Sequence, residues 1–223
     1  MARLKNGPYG FLIGLLGNIV NYVRRGENVT RMRPRKTAKR RKKATGKLAD
    51  SQARFRMAQK YVSPLKDFVC YSFHPATKGT TKIPQNAATS LFREHAIMGE
   101  HPNLWVDYSR VIVSEGNLPE PQNAAVSFED NVLTFTWDVD ANWGYARRSD
   151  QVMVLAYLPD TMRAFFIVGG ARRTAGVETL EINPEKSKSW LGESDTVVET
   201  YVAFISNDRQ RVSDSVYCGQ ISL

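Results

Sequence analysis

The sequence predicts an α+β protein: a basic N-terminal arm carrying a β-hairpin, then short helices, then a C-terminal antiparallel β-sandwich. Three observations carry that prediction. Residues 31–47, RMRPRKTAKRRKKATGK, hold ten cations and no acid. Apolar residues recur at helical spacing between about residues 49 and 98. Seven short strand-like runs, separated by Asp, Asn, Gly and Pro clusters, follow residue 122. With 223 residues, 42% of them hydrophobic and 10% aromatic, the chain can bury a core and is not wholly disordered.

The arm is justified by charge. The net charge of +9 hides a split: residues 1–66 carry 18 Lys and Arg against two acids, Glu27 and Asp50, whereas residues 67–223 carry 13 against 20. The ten cations of the block are Arg31, Arg33, Arg35, Lys36, Lys39, Arg40, Arg41, Lys42, Lys43 and Lys47. Like charges packed this densely repel one another and cannot be buried unpaired, so the block needs water or a polyanion. Nucleic acid, anionic lipid and an acidic protein surface are the candidate partners, and a solubilising tail is the alternative. Pro34, Thr37, Thr45 and Gly46 predict an extended block, not a helix, in the absence of a ligand.

Ahead of it, Ile19, Val20, Tyr22 and Val23, then Gly26 and Asn28, then Val29 and Thr30 read as strand, turn and strand, a hairpin that needs a partner surface to be stable. Phe11–Val20 is too short to span a bilayer, which takes about 20 apolar residues. With Arg3 and Lys5 ahead of it, this stretch could be an export signal, but no small-residue cleavage site follows. An uncleaved, cytoplasmic start is therefore expected, with export or association with a particle as the alternative. Cys70 and Cys218 form neither a CxxC pair nor a disulfide framework, which fits a reducing compartment.

A first helix is expected from about Ala49 or Asp50, with Ala53, Phe55, Met57, Ala58 and Tyr61 as apolar positions and Pro64 barring continuation. A second starts at Pro64 with Leu65, Phe68, Val69 and Phe73, and a third runs from about Gln85 to Met98. Leu104–Val113 reads as one strand. The prolines of Asn117-Leu118-Pro119-Glu120-Pro121 then mark a linker. The expected divisions are thus 1–48, the basic arm with its hairpin; 49–117, a small helical region with a closing strand; 118–121, a linker; and 122–223, the sandwich. Cutting at the linker should release a folded all-β fragment. Its strands are expected at Ala124–Phe128, Val132–Trp137, Gln151–Leu158, Ala164–Val168, Val177–Ile182, Val197–Ser206 and Val212–Tyr217, with Leu133, Phe135 and Trp137 sharing one face and Tyr201, Ala203 and Ile205 another.

Trp137 late in the second strand, Leu191 ahead of the strand carrying Tyr201, and the serine-rich close from Ser206 to Ser215 resemble a fibronectin type III or immunoglobulin-like module over about residues 122–223. That resemblance implies a fold in which the tryptophan and tyrosine anchor the core, and it implies little about function. The whole chain also resembles an uncharacterised family of Bacteroidota proteins. The matching segments are Met1–Gly7, Gly14 and Gly17, Gly26, Arg31–Pro34, Gln52–Phe55, Val106–Gly116 and Tyr201–Gly219. The chain departs from that family at Leu15, where lysine is common, and at Asn21, where glycine is common, and together the changes make the hairpin more apolar. The resemblance carries no activity.

No catalytic constellation, cofactor motif or metal site stands out. His74, His95 and His101 lack paired-ligand spacing. Cys70 and His74 lie in an apolar helical stretch and read as structural. Gly169-Gly170-Ala171-Arg172-Arg173 lacks the strand and helix that flank a phosphate cradle and reads as a β-turn. Asp138, Asp140 and Asp150 lack the spacing of a calcium loop. Two readings remain: a non-enzymatic protein whose arm binds the nucleic-acid backbone largely without sequence preference while the sandwich mediates protein contacts, and a structural subunit of an envelope or phage-like particle whose arm and hairpin lock onto neighbouring subunits. The charge favours the first.

Overall fold

A four-stranded antiparallel sheet buried on both sides organises the larger part of the protein. The structure is a computed structural model and describes residues 3–5, 10–24, 26–34, 45–139, 146, 148–182 and 196–223. The chain divides into two units, Met1–Lys43 and Ala44–Leu223, and its described elements are mixed helix and antiparallel sheet.

In the first unit, β1 (Arg3–Lys5), β2 (Phe11–Leu16), β3 (Ile19–Arg24) and β4 (Glu27–Met32) form one antiparallel sheet in chain order. The β3–β4 pair runs from Ile19 opposite Met32 to Arg24 opposite Glu27, so the hairpin expected there is part of a larger sheet. Phe11–Leu16, weighed above as a possible export signal, is strand β2. Gly17 at φ 56° turns β2 into β3, a conformation that costs glycine nothing. Asn21 is buried and accepts a hydrogen bond from Thr30 Oγ1 at 2.7 Å. Phe11, Ile13, Leu15, Leu16, Ile19, Val23 and Met32 are all exposed, Met32 to 69%.

In the second unit, α1 (Lys47–Val62), α2 (Lys66–Ser72), α3 (His74–Thr77) and α4 (Pro84–Leu91) come first. The third predicted helix ends earlier than expected, as α4 widens into a π-helical turn over Phe92–Ala96. Met98 then lies in β5 (Ile97–Glu100), paired with β6 (Asn103–Val106). The strand expected to Val113 breaks after Val106 because the Asp107 carboxylate accepts from the Ser109 N–H and folds Tyr108–Arg110 into a 3₁₀ turn.

The remaining strands are β7 (Ala125–Glu129), β8 (Val132–Thr136), β9 (Gln151–Leu158), β10 (Arg163–Arg172), β11 (Val177–Glu181), β12 (Val197–Ile205) and β13 (Val216–Ser222). They make a four-stranded sheet in the order β10-β9-β12-β13 and a three-stranded sheet in the order β11-β8-β7. Asp130 and Asn131, both at positive φ, form the two-residue turn between β7 and β8. The last strand starts four residues later than expected, since Val212 makes only an isolated bridge to Ile205.

Strand alternation explains the layering. Met153, Leu155 and Tyr157 of β9, with Tyr201, Ala203 and Ile205 of β12, pack against Tyr61, Phe68, Phe73 and Phe92 of the helical region. Val152, Val154, Ala156 and Leu158, with Val198, Val202 and Phe204, pack against Leu133 and Phe135 of the three-stranded sheet and against Trp137, just past the end of β8. Trp137 and Tyr201 therefore anchor two different cores, not one. Leu191 lies outside the described residues.

This layering changes the meaning of the expected linker at 118–121, which falls inside the second unit. Leu118 is buried, donates its N–H to the Val212 carbonyl at 3.0 Å and bridges Ser213 in parallel. Arg173 Nη2 donates to the Pro119 carbonyl at 2.8 Å, and Gly116 lies so close to the Val212 backbone that a Cβ there would collide with its carbonyl. The prolines rule out ladder pairing at their own nitrogens, yet the residues around them are stitched to 212–215. The segment is structural edging.

Candidate functional site

The basic block is built at its two ends. Arg31 is the penultimate residue of β4, with its guanidinium carbon 5.6 Å from the Tyr22 ring centroid, and Arg33 lies just past the strand with its N–H on the Asn18 carbonyl at 2.7 Å. Both side chains are exposed, as is Lys47, which opens α1 and so belongs to a helix and not to the extended block. Arg35, Lys36, Lys39, Arg40, Arg41, Lys42 and Lys43 lie outside the described residues. The unit boundary sharpens the charge contrast: residues 1–43 hold 13 Lys and Arg against Glu27 alone, and residues 44–223 hold 18 against 21 acids.

The start of α1 is fixed by one arginine. Arg54 Nε donates to Asp50 Oδ2 at 2.8 Å and Nη1 to the Ile97 carbonyl at 2.8 Å, and Nη2 reaches the Gly99 carbonyl. Asp50 Oδ1 accepts the His101 N–H at 2.9 Å. The hydrogen bond from Arg54, then that from the His101 amide, holds the Asp50 carboxyl below its ordinary 3.8. A carboxylate with a depressed folded pKa stabilises above its unfolded pKa, and that contribution is lost as pH falls through the folded value. The His101 amide resonance is accordingly expected to titrate below pH 3.8 in the folded chain and to lose that inflection in Asp50→Asn.

A second arrangement has no local motif. On α1, Ala53, Arg56, Met57, Lys60 and Tyr61 recur at spacings of three and four and share one face, which borders a cavity of about 310 Å³. Val106, Tyr108 and Tyr157, with Pro159 and Met162 of the β9–β10 turn, complete its walls. Tyr61 stacks on Phe92 with ring centroids 4.1 Å apart and meets Tyr157 at 4.5 Å. Beneath, the buried Glu199 accepts from Tyr217 Oη at 2.7 Å and Gln220 Nε2 at 2.8 Å, and Tyr201 Oη donates to the Tyr108 carbonyl at 2.9 Å. Burial, then the charges of Glu199 and Asp160, pushes the Tyr108 hydroxyl up to about 12, so it stays protonated and able to donate at neutral pH.

The other motifs sort plainly. Gly169–Arg172 is not a turn but the bulged end of β10, where the register shifts. A Cβ at Gly169 would meet the Arg209 guanidinium, and one at Gly170 the Glu178 carboxylate. Arg173 is buried, with its guanidinium carbon 3.7 Å from the Phe204 ring centroid. Cys70 is exposed on α2 and His74, also exposed, opens α3. Burial pushes the Cys218 thiol up to about 12. Cys218 is therefore held as the unreactive thiol at pH 8 while Cys70 is exposed, so iodoacetamide should alkylate Cys70 and spare Cys218 in the native chain, as peptide mass mapping will show. Among the described residues no cluster of three or more His, Cys, Asp or Glu could hold a metal; Asp140 lies outside them. Among the same residues, no helix is long and apolar enough to cross a membrane.

A family model described as a family of unknown function (DUF6266) matches residues 11–219. No curated protein and no solved structure matches the chain.

Proposed function

Since the chain belongs to that family of unknown function, we propose from its own residues that it is a non-enzymatic binding protein whose basic arm contacts the phosphate backbone of nucleic acid. One observation carries the reading: ten cations in the seventeen residues 31–47, with no acid among them. Such a block displaces condensed counterions, and with no aromatic residue in it to stack on bases it contacts phosphates and not base edges. The exposure of Arg31, Arg33 and Lys47 at its two ends supports the same reading. The cytoplasm is the compartment in which such an arm meets nucleic acid.

The test is fluorescence anisotropy of the full chain with a DNA duplex and an RNA strand, from about 50 to 200 mM salt. Arg40→Gln, Arg41→Gln, Lys42→Gln and Lys43→Gln together should weaken binding to every sequence alike. The variant should also flatten the slope of log affinity against log salt by about 0.9 per lost duplex contact, or about 0.7 on a single strand. Absence of binding by the unaltered chain at about 50 mM salt overturns the proposal.

A second reading, a structural subunit that locks onto neighbouring copies, is favoured by the exposed Phe11, Leu16, Ile19 and Met32 of the first sheet. Light scattering after nuclease treatment separates the two: a large particle free of nucleic acid favours assembly. For residues 122–223 we infer a fibronectin type III or immunoglobulin-like sandwich that serves protein contacts. Seven antiparallel strands split into sheets of three and four around a shared apolar cluster support that inference. The glycine-punctuated opening supports an origin among Bacteroidota.

A further inference from the structure

We propose that the tyrosine-walled cavity between α1 and the β9–β10 turn binds a small amphipathic organic acid, its aromatic or aliphatic body against Tyr61, Tyr108 and Tyr157 and its carboxylate between Arg56 and Lys60. The volume, about 310 Å³, is at the lower end of the range that small-molecule sites occupy and admits one ring with a short chain. The walls are aromatic rings, Met57, Val106, Pro159 and Met162, surfaces that gain by covering an apolar body and that a phosphate backbone would leave unused.

The charge at the mouth selects the head group. Arg56 and Lys60 lie one helical turn apart, both are exposed, and among the described residues no acid lines the cavity. Among the described residues, the acids whose charge reaches Tyr108, and Asp107 beside it, are engaged elsewhere. Asp160 accepts from the N–H and the hydroxyl of Thr196 at 3.1 and 3.0 Å, Glu199 from Tyr217 and Gln220, and Asp107 from Ser109 while pairing with Arg110. Two cations bordering an apolar cleft, with no acid among its described lining residues, attract an anion that brings its own apolar surface. The Tyr108 ring adds a hydroxyl that remains a donor at neutral pH.

Titration calorimetry of the full chain with 4-phenylbutyrate, its neutral amide and 4-phenylbutylamine tests the assignment. The acid should bind about tenfold more tightly than the amide, and the amine should not bind. Arg56→Glu with Lys60→Glu, both at exposed positions, should reverse that order, and Ala53→Trp, which fills the cavity, should abolish binding of the acid. Acid and amide of equal affinity overturn the proposal, as does acid binding that survives Ala53→Trp. No binding of the acid by the unaltered chain, or binding lost on neutralising Arg40, Arg41, Lys42 and Lys43 instead, also overturns it, and the latter would place the acid on the basic arm.

Discussion

A chain cut down to residues 122–223 is expected to aggregate or to persist only as an expanded, dye-binding state, not as a folded β domain. The reason lies in the helix-facing side of the four-stranded sheet. Met153, Leu155, Tyr157, Tyr201 and Ile205 are each no more than 3% exposed, and their cover is Tyr61, Phe68, Phe73 and Phe92. Removing it returns five large side chains to water at roughly 1.5–3 kcal/mol each, an amount comparable with the 5–15 kcal/mol by which whole domains are stable. The cut also deletes Leu118, Pro119 and the 113–116 segment that is hydrogen-bonded along 212–215. A dispersed amide spectrum from the purified fragment would show the sheet to be self-sufficient. Adding residues 44–121 in trans should restore near-UV circular dichroism if the missing cover is the cause.

That expectation reverses what the linker prolines suggest, and the reversal shows what was legible in the residues. The strands of the second unit were readable because their apolar runs end at turn residues, and the helices because Ala58, Tyr61, Leu65, Phe68 and Val69 recur at spacings of three and four. The run Val152-Met153-Val154-Leu155-Ala156-Tyr157-Leu158 even states that β9 is covered on both faces, since nothing polar interrupts it. What covers each face is a long-range matter that no local pattern records. Arg173 looked like the end of a glycine loop because a buried guanidinium needs Phe204 and Pro119 as partners, 31 and 54 positions away. The cavity was equally silent: its walls come from α1, β6 and the β9–β10 turn, and only folding brings them together. The charge density of the basic block was legible because it needs no partner within the chain, whereas the place of Lys47 at the start of α1 was not.

The second large effect is expected at Trp137. Its ring is 5% exposed and lies edge-on to Phe204, with centroids 5.7 Å apart and planes at 82°. Its Nε1–H donates to the Arg173 carbonyl at 2.8 Å, and its own N–H to that of Gly176 at 3.0 Å. Trp137→Ala removes the largest buried side chain of the shared cluster, just past the end of β8, and leaves a cavity against Phe204, at a cost of about 3–5 kcal/mol. In thermal unfolding this is a drop of roughly 6–20 °C for a chain of this size. Trp137→Phe keeps most of the contact and loses the indole hydrogen bond, a change of about 1 kcal/mol for the bond itself. Equal losses for the two substitutions would mean that the hydrogen bond, not packing, holds the corner.

The seating of the helices on β9 and β12 sets a schedule for the newly made chain. Tyr61, Phe68 and Phe92 leave the ribosome long before the strand that carries Tyr201, Ala203 and Ile205. At about 5–20 residues per second, the stretch between Ala96 and Ile205 takes roughly 5–20 s to make. Through that interval the helical segment has at most the β9 half of the surface on which it settles, and its aromatic face stays open to chaperones or to other nascent chains. The last strands to be synthesised therefore decide when the first helices can dock, so a premature stop before residue 197 would leave an aggregation-prone product and not a smaller working one.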